Sequence, residues 1–144
     1  MHIDEILDMW KKDSELDPVD LANHSLEIVK LHAKYLRMLS NERVLLKGLK
    51  HNYKQLLKLK YEYYTGTISQ EDLAEKEWKP FQLKILKQDV SMYTDSDEDV
   101  VKLSLKIGIQ EEKVEALESI IKAINNRGFQ IKNYIDFMRF THGQ

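Results

Sequence analysis

Four lysines recur at helical spacing near the middle of the chain. They follow one another at intervals of three, four and four residues, as Lys47, Lys50, Lys54 and Lys58. If residues 41–64 form one α-helix, the four ammonium groups stand in a row on one face, because positions three and four apart are neighbours on a helix. Such a row supplies counter-charge for the phosphates of a nucleic acid. The spacing therefore predicts a basic binding surface.

The stretch that follows the row adds another cation and three aromatic rings. Lys60 comes two residues after Lys58, and Tyr61, Tyr63 and Tyr64 come next, before Gly66. Positive charge for phosphates together with flat rings for bases is typical of proteins that bind single-stranded nucleic acid. In a regular helix Lys60 leaves the row and projects nearer the apolar side, so the surface that it serves stays open.

Two other interpretations of the row remain open. A lysine-rich helix face is often simply solvated, and the protein is then an oligomeric coiled-coil scaffold or adaptor without nucleic-acid binding. A basic helix lying on an anionic membrane is the weaker alternative. The apolar side of this helix has the spacing of a coiled-coil-like seam, the line of residues that packs against another helix, and so is not available to lipid. The tyrosines also suit a core, Tyr63 above all, since it continues that seam.

Charge along the chain is segregated, although the net charge of the 144 residues is only −2. Residues 1–27 carry eight acids against two lysines, whereas residues 40–64 carry six bases against two acids. This separation indicates a polarised surface, and the acidic N-terminal stretch is a candidate contact for a partner protein.

Several kinds of chemistry lack the residues that they require. Without cysteine there is no disulfide, thiolate metal site or cysteine nucleophile. The five histidines lack metal-ligand spacing, and the isolated glycines form no phosphate loop. The acidic run 95–99 imitates a calcium loop, but Val100 and Lys106 occupy the positions of its glycine and its glutamate. We expect no enzyme, no cofactor and no bound metal, and, without a membrane span or signal peptide, an intracellular soluble protein.

The apolar periodicity predicts an all-α fold of long antiparallel helices with coiled-coil-like packing in a single domain, 1–144. A long basic helix is expected over 18–65, ended by Gly66. Its seam includes Leu45 and is interrupted by Glu42 and Asn52, with a possible kink at residues 40–42. Residues 81–93 alternate partly as a strand and partly as a helix, and we assign them to a helix. A heptad helix is expected over 96–127, ended by Gly128, with Gln110 as the one polar residue of its seam.

A short C-terminal helix over 128–142 is apolar on two sides. Such a helix cannot bury both faces against one small domain, so the spare face is a candidate subunit interface. The predicted oligomerisation residues are Phe129, Ile131, Tyr134, Ile135, Phe137, Met138 and Phe140.

Two stretches resemble signatures of the UvsY family, the recombination mediators of T-even-like bacteriophages. Residues 57–66 resemble its basic-then-tyrosine signature, and residues 123–132, followed by an apolar helix, resemble its C-terminal signature. The resemblance covers roughly a fifth of the chain, and the two motifs are specific in combination through their order and separation.

The resemblance implies a small helical protein that assembles into a ring-like homo-oligomer, a hexamer or heptamer, in the cytoplasm of the infected bacterium. It implies binding of single-stranded DNA and loading of a UvsX-type recombinase onto DNA covered by the phage single-strand-binding protein. The family's two DNA-binding cations correspond to Lys58 and Lys60. At the position of Lys60 the family commonly has arginine; lysine keeps the positive charge but lacks the forked hydrogen-bonding geometry of the guanidinium group. With the row and the rings, the predicted DNA-binding residues are Lys47, Lys50, Lys54, Lys58, Lys60, Tyr61 and Tyr64.

Overall fold

A computed structural model describes residues 1–143, which form helices and no strand. The all-α prediction is confirmed. The helices are α1 (Ile3–Asp13), α2 (Leu21–Thr65), α3 (Gln70–Glu75), α4 (Val90–Asp95) and α5 (Glu98–Thr141), with 3-10 turns at Pro18–Asp20 and Lys87–Asp89.

The chain forms two compact units, and the two long helices contribute to both. One unit contains Met1–Val44 and the chain from Gln110 onward, and the other contains Leu45–Ile109. Within the first unit α2 and α5 run antiparallel: Arg43 of α2 pairs with Glu118 of α5, and the earlier part of α2 lies near later residues of α5. That the whole chain behaves as a single domain stays a prediction.

The seam of α2 follows a heptad register that includes two charged residues. At alternating steps of four and three, the buried or half-buried positions are Tyr35, Leu39, Glu42, Leu46, Leu49, Tyr53, Leu56 and Lys60. The expected seam treated Glu42 as an interruption and included Leu45, but Leu45 is exposed. Glu42 is buried because Gln110, the polar seam residue of α5, donates an amide hydrogen to its main-chain oxygen at 2.9 Å and also contacts its carboxylate.

Both long helices are continuous where the sequence suggested a break. α2 passes through residues 40–42 without interruption. The boundary expected at residue 127 is wrong, because α5 runs through Gly128 to Thr141, and the helix expected over 128–142 is its last part rather than a separate helix. Arg127 is buried and Ile131 is buried one turn later, so tertiary packing extends the helix across a typical end signal. Gly66, by contrast, has a φ of +77° and ends α2 as expected.

The segment predicted as a helix over 81–93 is mostly not helical. Residues 79–86 have no regular structure, and helix α4 begins only at Val90. Tertiary contacts explain the difference, since Phe81 packs its ring against Tyr64 and Tyr93 instead of joining a helix face.

The buried pair formed by Glu42 and Gln110 gives the first testable prediction. Replacing both with leucine removes two desolvated polar groups together, and we expect the free energy of unfolding to stay equal or to rise by about 1 kcal/mol. Gln110→Leu alone leaves a buried carboxylate without its donor and is expected to cost about 2–4 kcal/mol. Urea unfolding of the three proteins measures both effects. A double variant less stable than the single variant would contradict this account.

Candidate nucleic-acid interface

The four lysines of the row lie on one exposed face of α2. Lys47, Lys50, Lys54 and Lys58 are all exposed, and at 100° per residue they fall within an arc of about 80°. All four belong to the unit formed by Leu45–Ile109. The spacing expected from the sequence therefore produces a contiguous basic face.

Along the span of the row, this face carries no acidic residue of its own helix. Between Arg43 and Tyr61 the sequence contains no aspartate or glutamate. Within residues 1–143, none of the four ammonium groups lies within 4.0 Å of a carboxylate. Their charge is therefore available to an anionic ligand.

Tyr61 lies on the same face as the row. Its side chain is 47% exposed, and its angular position on the helix falls between those of Lys50 and Lys58, about 20° from the first and about 60° from the second. An aromatic ring among exposed cations has the geometry that stacking on an unpaired base requires.

Lys60 lies on the opposite side of the helix and is buried. Only 4% of the residue is exposed, and its ammonium nitrogen lies 3.1 Å from Asp97 and 3.0 Å from Asp99. The same nitrogen lies 3.7 Å from the centre of the Trp78 ring, a cation–π contact. Lys60 and the row thus occupy different surfaces of the second unit.

Tyr64 also faces inward. Its hydroxyl donates a hydrogen bond of 2.6 Å to Asp97, and its ring packs edge-on against Phe81. Tyr63, whose hydroxyl donates to the main-chain oxygen of Lys79, contacts the Trp78 ring. We call these groups, Lys60, Tyr63, Tyr64, Trp78, Phe81, Tyr93, Asp97 and Asp99, the Lys60 cluster.

Asp97 connects the two long helices within this cluster. One carboxylate oxygen accepts hydrogen bonds from the main-chain N–H groups of Asp99 and Val100 and so caps α5. The other accepts from Tyr64 and pairs with Lys60. Burial alone raises the pKa of Asp97, but the hydrogen bonds from Tyr64, Val100 and Lys60 outweigh burial and hold that pKa below its usual value.

The backbone before Trp78 adopts an unusual conformation. Glu77 has a φ of +57°, which places it in the left-handed region that non-glycine residues seldom occupy. This turn brings the Trp78 ring over Lys60, at the edge of a cleft of about 440 Å³. The Lys60 cluster without Phe81 lines this cleft, together with Glu77, Lys79, Ser96 and Glu98. The cleft therefore belongs to the cluster and lies apart from the lysine row.

The C-terminal part of α5 divides into a buried and an exposed side. Ile131 is 6% exposed and packs within its own unit, near Leu16 and Leu21. The exposed side carries the three phenylalanines, at 70%, 63% and 84% exposure for Phe129, Phe137 and Phe140. The exposed fractions of Tyr134, Ile135 and Met138 lie between those of Ile131 and the phenylalanines.

Arg127 is a structural residue that the sequence analysis missed. It is the last residue of the heptad helix expected over 96–127, but it is 3% exposed and donates to the main-chain oxygens of Asp13 at 3.0 Å and Glu15 at 3.2 Å. Desolvation lowers the pKa of its guanidinium, although Glu27 and Asp13 partly oppose the shift. The heptad register contained the signal, because Arg127 follows Ile124 by three residues and precedes Ile131 by four.

The fold and this face together define a class, an all-α protein of long antiparallel helices with an exposed basic face. The profile of one family, described as the recombination, repair and ssDNA binding protein UvsY, matches residues 9–144. The chain therefore belongs to the UvsY family, as the two sequence signatures predicted.

Solved structures of a bacteriophage T4 protein, the recombination mediator protein UvsY, have a similar fold. Its lattice type IV crystal structure is 21% identical, covers 97% of this chain and 99% of that chain, and has a TM-score of 0.85. Its lattice type II structure is 23% identical over 99% of this chain and 98% of that chain, with a TM-score of 0.84. Among curated protein sequences, none matches this chain.

Among the described residues, no helix has the length and apolar character needed to cross a membrane.

Proposed function

We propose that this chain is a non-enzymatic recombination mediator that binds single-stranded DNA without sequence preference. The observation that carries the proposal is the exposed lysine face of α2, which is free of acids between Arg43 and Tyr61 and includes one exposed ring. Lysines neutralise phosphates of any sequence, and Tyr61 stacks on whichever base lies above it. Membership of the UvsY family supports this function.

Four lysines on one subunit bind a polynucleotide weakly, and assembly strengthens the binding. The exposed phenylalanines near the C-terminus join copies into a ring-like homo-oligomer, a hexamer or heptamer. Several lysine faces then act on one strand, and effective concentration multiplies their affinity. The strand bound in this way is released from the phage single-strand-binding protein and presented to a UvsX-type recombinase in the cytoplasm of the infected bacterium.

The salt dependence of binding tests the lysine face. Lys54→Gln with Lys58→Gln removes two phosphate contacts per bound face, so we expect binding to weaken by the same factor for every DNA sequence. The slope of log affinity against log salt should fall by about 1.4 for each engaged subunit. Fluorescence anisotropy with a labelled oligothymidylate at several salt concentrations measures both quantities.

Lys102→Gln with Lys106→Gln is the matched control. These two lysines are also exposed, also four residues apart and in the same unit, but they lie on α5. We expect the control pair to keep the wild-type slope. Equal changes in slope for the two pairs would show that binding is not confined to the lysine face of α2. If the wild type and both variants all fail to be retained on single-stranded DNA in dilute buffer, the protein is a coiled-coil scaffold with solvated lysines.

A further inference from the structure

The spacing of Lys58 and Lys60 is incompatible with a shared DNA-binding face. Two residues along an α-helix turn the side chain by about 200°, so the two ammonium groups project to opposite sides. Lys58 is exposed within the row, whereas Lys60 is enclosed by the Lys60 cluster. At most one of them contacts a strand bound along the row.

The charge of Lys60 is already satisfied inside the protein. Two carboxylates, of Asp97 and Asp99, lie within 3.1 Å of its ammonium nitrogen, and the face of Trp78 covers it. The side chains of Lys60 and Asp97 are 5% and 6% exposed. Moving Lys60 to a phosphate would leave the buried Asp97 carboxylate without its cation, which is strongly unfavourable.

These contacts join the end of α2 to the start of α5. Lys60 and Tyr64 both reach one carboxylate oxygen of Asp97, while the other oxygen caps α5. Lys58 and Tyr61 lie on the same two turns of α2, on its outer side. Any loosening of the inner contacts therefore changes the direction in which Lys58 and Tyr61 point.

We infer that Lys60 is a positioning residue, which fixes the last turns of α2 through Asp97 so that Lys58 and Tyr61 face the DNA. The inference rests on the proposed function, since it assigns a role relative to the same lysine face. In this chain the two lysines at the positions of the family's basic signature thus have different roles: Lys58 neutralises phosphate, and Lys60 holds the helix that presents Lys58.

The test compares four variants in the oligothymidylate assay, each across a series of salt concentrations. They are Lys58→Gln, Lys60→Met, Asp97→Asn and the double variant Lys60→Met/Asp97→Asn. We expect Lys60→Met and Asp97→Asn each to weaken binding about five-fold at the wild-type salt slope, and the double variant to be no weaker than the weaker single, because the two side chains act as one unit. Lys58→Gln should lower the slope.

Two results would overturn the inference. A fall in slope with Lys60→Met equal to that of Lys58→Gln would make Lys60 a phosphate contact. Tighter or unchanged DNA binding by Asp97→Asn would also make Lys60 a phosphate contact, because removing the carboxylate that competes for Lys60 would free its ammonium group for DNA. Asp97→Asn keeps the shape of the side chain and its hydrogen-bonding capacity, so it stays informative if Lys60→Met fails to fold. Failure of the proposed function is a different result, namely no change in slope with Lys58→Gln.

Discussion

Phe137→Asp combined with Phe140→Asp is expected to reduce apparent affinity for long single-stranded DNA by about 100-fold or more. The two rings are 63% and 84% exposed on the last part of α5. Exposed aromatic groups on one helix face are typical of contact surfaces, and a carboxylate placed in such a contact is desolvated without a partner. The variant should form smaller species, and each should retain the weak binding of a single lysine face.

Sedimentation and DNA affinity measured on the same samples test this prediction. The salt slope should fall as well, because fewer faces engage each strand. Leu83→Asp with Leu86→Asp is the matched control, since these side chains are each 63% exposed but lie outside any helix. Smaller species with undiminished affinity would show that assembly does not contribute to binding, and unchanged size would show that the phenylalanines do not hold the subunits together.

Arg127→Met is expected to lower the free energy of unfolding by about 2–4 kcal/mol. Its guanidinium donates to two main-chain oxygens, those of Asp13 and Glu15, in the turn that follows α1. Without it, both partly buried oxygens lose a charged donor, and the turn that joins α1 to α2 loses its contact with α5. For a chain of this size the melting temperature should fall by about 6–12 °C.

Two further arginine-directed variants separate the causes of this destabilisation. Arg127→Lys keeps the positive charge but cannot span both oxygens, so we expect an intermediate loss. Arg139→Met removes an exposed arginine from the same helix and should change stability by less than about 0.5 kcal/mol. Equal melting temperatures for Arg127→Met and Arg139→Met would contradict the role assigned to the buried guanidinium.

The placement of the lysine row followed from the sequence because it depends on one helix alone. Steps of three and four residues bring Lys47, Lys50, Lys54 and Lys58 to one face whatever packs on the other. The same rule predicts that Lys60 leaves the row. The helical spacing does not predict which residues Lys60 contacts, because Asp97 and Trp78 come from distant parts of the chain.

The seam was only partly predictable. Val114, Leu117 and Ile124 of the expected heptad are buried, and Gln110 is its polar member. On α2 the same method excluded Glu42 and accepted Leu45, since a hydrophobic pattern treats a charged residue as an interruption. Glu42 is buried because its partner Gln110 lies on the other long helix, and a pattern read along one segment does not contain that partner.

The sequence by itself determined the helical class, the basic face with Tyr61, the aromatic C-terminal face and the end of α2 at Gly66, because each follows from local periodicity or backbone preference. Only the tertiary structure decided that Lys60 and Arg127 are interior residues and that α5 continues through Gly128. The physical reason is desolvation: a charged side chain is buried only where partners from elsewhere in the chain offset the loss of water.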